Sequence, residues 1–246
     1  MLGIAPADAR PPSGGYTSAD TADRRLMAMS AYTDRPTLHP RGFRPQVTLP
    51  YGLRPAEIRA AMDDLYDFLY NVNNFLTSRG YDRLEETLAG AMFSGLMSEL
   101  VVQSVSRHST TMTKNTWHNG RPDLVPAAHY PNDSVLRGDE GIEVKASRYE
   151  SGWQGHNIES GWIMIFQYKI DLETEPIEDR DPTKFERVLC ARLDESDWSF
   201  SGRGAASRRT ITASIRRSGT EKLAANPVYL DPVYASRRRQ SSPLDR

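Results

Sequence analysis

The sequence predicts a mixed α/β chain of the α+β kind: a helical region first, then a central mixed β-sheet flanked by helices. Three observations predict it. Apolar residues recur every three or four positions between Pro55 and about residue 107. The texture then changes to short apolar runs separated by turn residues. One of those runs, Trp162-Ile163-Met164-Ile165-Phe166-Gln167-Tyr168, is apolar almost throughout, as a central strand buried on both faces would be.

The elements follow in order. Residues 1–47, rich in Pro, Gly, Ala, Asp and Arg, read as a disordered leader with one short helix near Ala22 to Tyr32. Pro55 suits a first helical turn, and Ile58, Met62, Leu65, Leu69, Val72 and Leu76 keep helical spacing up to a stop at Gly80. A second helix is expected from about Leu84 to Val105. Its apolar stripe is read as Leu84, Leu88, Met92 and Leu96, then Val102 or Val105, and Glu99 falls on that stripe. Strands are expected at Thr110–His118, from Asp123 to Val125, at Gly141–Ala146, at Trp162–Tyr168 and at Arg187–Leu193. Helices followed by a sheet make one domain over residues 48–235, with a helical part (55–107) and a sheet-bearing part (108–235). Residues 236–246 read as a basic flexible tail.

Composition bounds the class. The 246 residues suit one domain, and the 38% hydrophobic content is enough for a core. The net charge of −1 hides an asymmetry: from Ser199 onward there are ten Lys and Arg against three acids. A polyanion would prefer that third of the chain. The single Cys190 lies in an apolar run and reads as a buried strand residue, which suits a reducing cytoplasm. No apolar run is long enough for a membrane span, and the N-terminus does not read as a signal peptide, so a cytoplasmic location is expected.

Two motifs carry the chemistry. Arg121-Pro122-Asp123-Leu124-Val125 is followed across a polar loop by Gly141-Ile142-Glu143-Val144-Lys145-Ala146. On a strand, Glu143 and Lys145 share one face while Ile142, Val144 and Ala146 point into the body. If the Pro-Asp strand lies alongside, two carboxylates and an ammonium converge. Two carboxylates with a nearby carbonyl make a hard oxygen site suited to Mg²⁺. A Lys at its edge can orient or deprotonate a water and steady phosphate charge. The Asn119-Gly120 pair just upstream is a hairpin signal that leads the chain into Asp123. An acid at a core-facing position such as Glu99 is costly unless it is paired or binds a metal.

Across roughly Leu84 to Leu193, this pattern resembles the PD-(D/E)xK nuclease superfamily, which includes most type II restriction endonucleases. The resemblance implies a restriction-endonuclease-like core of αβββαβ order. It implies Asp123 and Glu143 as metal ligands, with the Val144 carbonyl, and Lys145 serving the attacking water. Many members add a Glu from the helix before the first strand, a role that falls to Glu99. The implied cofactor is Mg²⁺, with Mn²⁺ as a substitute. The implied partners are double-stranded DNA, a second copy in a homodimer, and a DNA methyltransferase encoded nearby. One departure stands out: Arg148 to Ser160 has no helical period where the family usually carries a helix, leaving the order of the later elements open.

Other residues are candidates for holding the nucleic acid. The segment Ser151 to Glu159 leaves the catalytic strand with Gln154, His156 and Asn157, side chains able to read bases in the major groove. The alternative is a polar turn with Trp153 packed on the body. Arg208, Arg209 and Arg216, with Arg217 beside them, frame Thr210–Ile215 and suit phosphate contacts, or else a solvated edge strand. The His118-Asn119 and His156-Asn157 pairs lack the second metal-binding His of a His-Asn-His nuclease. The expected activity is therefore Mg²⁺-dependent, site-specific cleavage of DNA. A repair or junction-resolving nuclease, or a non-cleaving DNA-binding accessory protein, is the alternative.

Overall fold

The computed structural model describes residues 35–155, 160–200 and 213–241. Among these, five α-helices and nine strands build a mixed α/β fold with a mixed central sheet.

The helical layer comes first. Helix α1 (Pro55–Ser78) starts on Pro55, and the Glu57 carboxylate folds back to accept the Arg54 amide at 2.9 Å. Its expected stripe is buried at Ile58, Met62, Leu65 and Leu69, while Val72 and Leu76 at its far end are half-buried. The second helical segment differs from expectation. Leu84–Thr87 forms a separate turn, α2, and the chain is extended at Leu88 before α3 (Gly90–His108) begins. That break resets the helical phase. The buried side of α3 is Phe93, Met97, Val101, Val102 and Val105, while Met92 is 62% exposed. Glu99 is thus not on the core-facing stripe.

The sheet follows. Its strands are β1 (Met112–Lys114), β2 (Leu124–Pro126), β3 (Ile142–Ser147), β5 (Gly161–Lys169), β6 (Lys184–Leu193) and β9 (Pro227–Leu230), in the spatial order β1-β2-β3-β5-β6-β9. Only β3 and β5 are parallel; the other neighbours are antiparallel. The expected first strand is shorter than its Thr-rich run, and the β1–β2 connection takes nine residues rather than a tight turn. Strand β6 begins earlier than expected, at Lys184.

Strand alternation divides the core in two. Met164, Phe166 and Tyr168 of β5 join Val144 and Ala146 of β3 under α1 and α3. Ile163 and Ile165 face the other way, onto a second cluster with Leu189, Trp198, Ile215 and Leu223. Fully burying each such side chain is worth about 1.5–3 kcal/mol. The second cluster is covered by a three-stranded sheet, β4 (Gln154–Gly155), β8 (Ala213–Ile215) and β7 (Trp198–Phe200), in the order β4-β8-β7. Helix α4 (Arg217–Ala225) packs on β6 beside it. The β3-to-β5 crossover, where a helix is usual in the resembled family, therefore runs through β4, a strand of this small sheet.

The described parts of the expected leader and tail, residues 35–47 and 236–241, depart from expectation. From Arg35 the supposed leader packs on the body: Leu38 is buried, Phe43 bridges Tyr229, and the Tyr229 ring occupies the space a Gly42 side chain would need. The short helix expected near Ala22 lies outside the described residues. The basic tail is helical to Ser241 as α5 (Pro232–Ser241) and is anchored by ion pairs, Arg237 to Glu186 at 2.7 Å and Arg238 to Glu150. Cys190 is buried as expected, and burial pushes its thiol up to about 12. Among the described residues no helix is long and apolar enough to cross a membrane.

Candidate active site

The site forms where β2 and β3 part. These strands share one paired position, Leu124 with Ile142. In antiparallel pairing this sets Asp123, the residue before Leu124, beside the start of β3. Beyond Ile142 this edge of β3 has no strand partner among the described residues, and side chains take over its hydrogen bonds. The Asp123 carboxylate accepts the Val144 amide at 2.8 Å, and the Ser98 hydroxyl of α3 accepts the Ala146 amide at 2.8 Å. A residue's carbonyl and amide leave an antiparallel edge on the same side. The Val144 carbonyl thus shares the edge that Asp123 caps.

Two devices hold Asp123 there. Gly141 has φ +146°, and a Cβ on it would lie 2.2 Å from Pro122 Cγ and 2.3 Å from the Leu124 carbonyl oxygen, so only glycine lets the two motifs meet so closely. Asn115, 5% exposed, is saturated with hydrogen bonds. Its Nδ2 donates to the carbonyls of Pro122 (3.0 Å) and Val135 (2.8 Å), while its Oδ1 accepts the amides of Trp117 and Val135 at 3.1 Å. Its own amide donates to the Asp123 carbonyl at 2.9 Å. One buried amide side chain therefore braces the whole β1–β2 connection against the motif.

Glu143 and Lys145 alternate with buried Ile142, Val144 and Ala146, as the period of two requires. The Lys145 ammonium pairs with Glu143 Oε1 at 3.1 Å, and both side chains are largely buried, at 16% and 13% exposure. Burial first, and the Glu143 charge second, push the Asp123 carboxyl up to about 7; the Val144 amide and Lys145 pull the other way. Asp123 and Glu143 are thus close enough to repel, and a proton on Asp123 relieves a site that a cation would relieve better.

These groups share a cavity of about 640 Å³ whose walls include Ser98, Glu99, Arg121, Asp123, Glu143 and Lys145, with Gln154 also on its lining. The expected residues Asp123, Glu143, Val144 and Lys145 come together, and Glu99 and Gln154 border the same space. Glu99 is on the solvent side: its side chain is 62% exposed and paired with Lys114 at 2.7 Å. Trp153 is buried in the second core cluster, with its indole N–H donating to the Tyr149 carbonyl at 3.0 Å. His156, Asn157, Arg208 and Arg209 lie outside the described residues. Arg216 and Arg217 sit at the start of α4, exposed, and do not line the cavity; Arg217 pairs with Glu221 at 2.7 Å. Sequence reasoning missed Ser98 and Asn115, which no local pattern marks. Arg121 lies inside the first motif, which by itself assigns it no role.

Among the described residues no group of three or more His, Cys, Asp or Glu side chains is arranged to hold a metal ion. A two-carboxylate set with a strand carbonyl nevertheless fits Mg²⁺, which usually keeps several waters and binds through one or two carboxylates plus substrate phosphate. Asp123 and Glu143 lining one cavity beside the strand edge that Asp123 caps is the observation that favours a cation there. No protein-family model, no curated protein and no solved structure matches the chain.

Proposed function

We propose that the chain is a Mg²⁺-dependent endonuclease that hydrolyses DNA phosphodiester bonds, built on a restriction-endonuclease-like core. The observation that carries this reading is the meeting of Asp123, Glu143 and Lys145 in one cavity of about 640 Å³. Asp123, Glu143 and the Val144 carbonyl would hold the ion. When bound, Mg²⁺ (or Mn²⁺) supplies Lewis-acid stabilisation of the phosphoryl charge and a more acidic water.

The chain's own residues do the rest. Lys145 is tethered by Glu143 at 3.1 Å, so its ammonium stays at the carboxylate pair instead of sweeping through solvent. From there it orients the attacking water and offsets charge on the phosphoryl oxygens. Water oxygen bonds to phosphorus and gives up a proton to solvent, the P–O bond opposite it breaks, and the departing oxygen takes a proton from solvent. Asn115 and Gly141 keep Asp123 in register with β3, and Ser98 closes the next unpaired amide. Glu99, exposed at the rim, tunes the local charge. Two copies related by a two-fold axis would offer one site to each strand of a duplex.

Incubating the protein with supercoiled plasmid and Mg²⁺, then sequencing the fragment ends, tests the reading. Discrete fragments with a common end sequence are expected of a site-specific enzyme. Cuts confined to branched or damaged DNA would move it to a repair role. Intact plasmid with a mobility shift would leave only DNA binding.

A further inference from the structure

A second cavity, of about 300 Å³, lies on the other side of Glu143, and it shares Arg121 and Glu143 with the first. Its walls also carry Arg137, Ser160, Gly161 and Trp162. We infer that this cavity is a second phosphate subsite, taking the phosphodiester that adjoins the scissile one on the strand being cut. The inference rests on the nuclease reading of the carboxylate site and extends it.

Two arginines are brought here by backbone pairing. Arg121 and Arg137 form an isolated parallel bridge; the Arg121 amide donates to the Leu136 carbonyl at 3.1 Å, and the Gly138 amide donates to the Arg121 carbonyl at 2.8 Å. Both side chains line this cavity, so a bound anion would meet two positive groups. Guanidinium forks match phosphate oxygens bidentately, which makes a phosphodiester the natural occupant. Arg137 is exposed and makes no hydrogen bond or ion pair among the described residues, so its fork is available to a ligand. A Cβ on Gly161 would meet nothing within 4 Å, so the floor beside Trp162 is open to close approach. Two acids border the cavity as well. Glu143 is engaged by Lys145, and Asp139 is exposed, as Arg137 is. Continuity with the first cavity sets the occupant: a strand with its reacting phosphate at Asp123 and Glu143 has a neighbouring phosphate to place, and Arg121 stands between the two spaces.

The test is a salt titration of binding to a labelled duplex in Ca²⁺, alongside steady-state cleavage in Mg²⁺, for wild type, Arg137→Ala, Arg137→Lys and Lys184→Ala. Lys184 is an exposed cation at the opposite end of the sheet. Arg137→Ala should flatten the log–log salt slope by about 0.9, the value for one lost duplex phosphate contact. It should raise KM roughly tenfold, as expected for a lost charged hydrogen bond, with kcat within about twofold. Arg137→Lys should restore the slope but not all of the KM, because a point charge replaces a fork. Lys184→Ala should match wild type. An unchanged slope and KM in Arg137→Ala, or an equal loss in Lys184→Ala, overturns the subsite even if cleavage is normal. Wild type that binds duplex with an Arg137-dependent slope but never cuts keeps the subsite and removes the nuclease reading. Wild type that does not bind duplex at all removes both.

Discussion

Replacing Asp123 by Asn should make the metal-free protein more stable while destroying the activity proposed for it. In the folded protein the Asp123 carboxyl sits at about 7, against an ordinary 3.8, because it is buried and faces Glu143. Between those two pH values the folded state binds a proton that the unfolded chain has released. Stability therefore falls as pH rises through this window, and the whole cost is present above it. At 1.36 kcal/mol per pH unit the gap corresponds to about 4 kcal/mol. Asn removes the charge yet keeps an oxygen that can accept the Val144 amide, now bonded at 2.8 Å. Part of the cost is desolvation that a neutral amide also meets, so roughly half, about 2 kcal/mol, should be regained. For a chain of this size that is about 4–8 °C in Tm. The assay is thermal unfolding with EDTA, from pH 4 to pH 8.5. The gap between Asp123→Asn and wild type should open with rising pH and narrow on adding Mg²⁺, which would stabilise wild type alone. A variant that is less stable at pH 8, or a gap independent of pH, would refute the electrostatic account of the site.

Other expectations follow from the same geometry. Lys145→Ala should lower cleavage by at least about a hundredfold while leaving duplex binding in place, measured by single-turnover kinetics beside a binding titration. Gly141→Ala forces a Cβ within 2.3 Å of both Pro122 and Leu124 at a φ of +146°, so it should cost about 1–3 kcal/mol by chemical denaturation and abolish cleavage. Glu99→Gln breaks an exposed pair with Lys114, so its unfolding free energy should change by less than about 1 kcal/mol. Ca²⁺ should support DNA binding without cleavage, because its looser coordination places the water poorly.

Much of the site was legible because it is written in alternation. Glu143 and Lys145 interleave with Ile142, Val144 and Ala146, and that period of two survives into the buried and half-buried positions of β3. The same holds for β5, whose six consecutive buried residues read as a central strand. What was not legible depends on contacts between distant residues. The Asn115 amide donates to carbonyls 7 and 20 residues away, and Ser98 acts on a strand 48 residues later. Glu99 was misplaced for a local reason: the break at Leu88 shifts the helical phase, so a stripe extrapolated from Leu84 runs onto the exposed side of α3. Strand β4 is two residues long and is recognisable only by its pairing with β8. The Arg-rich C-terminal segment carries little amphipathic pattern, and its helix is secured by ion pairs to Glu186 and Glu150.

The central claim is that Asp123 and Glu143 form a divalent-cation site for phosphodiester hydrolysis. It is tested most directly by single-turnover cleavage of plasmid DNA with wild type, Asp123→Asn and Glu143→Gln, each at matched Mg²⁺ and again in EDTA. The account predicts cleavage by wild type that requires Mg²⁺ and is lost in both variants, although both remain folded and bind DNA at least as tightly. Cleavage at the wild-type rate by either variant, or by wild type in EDTA, would contradict it.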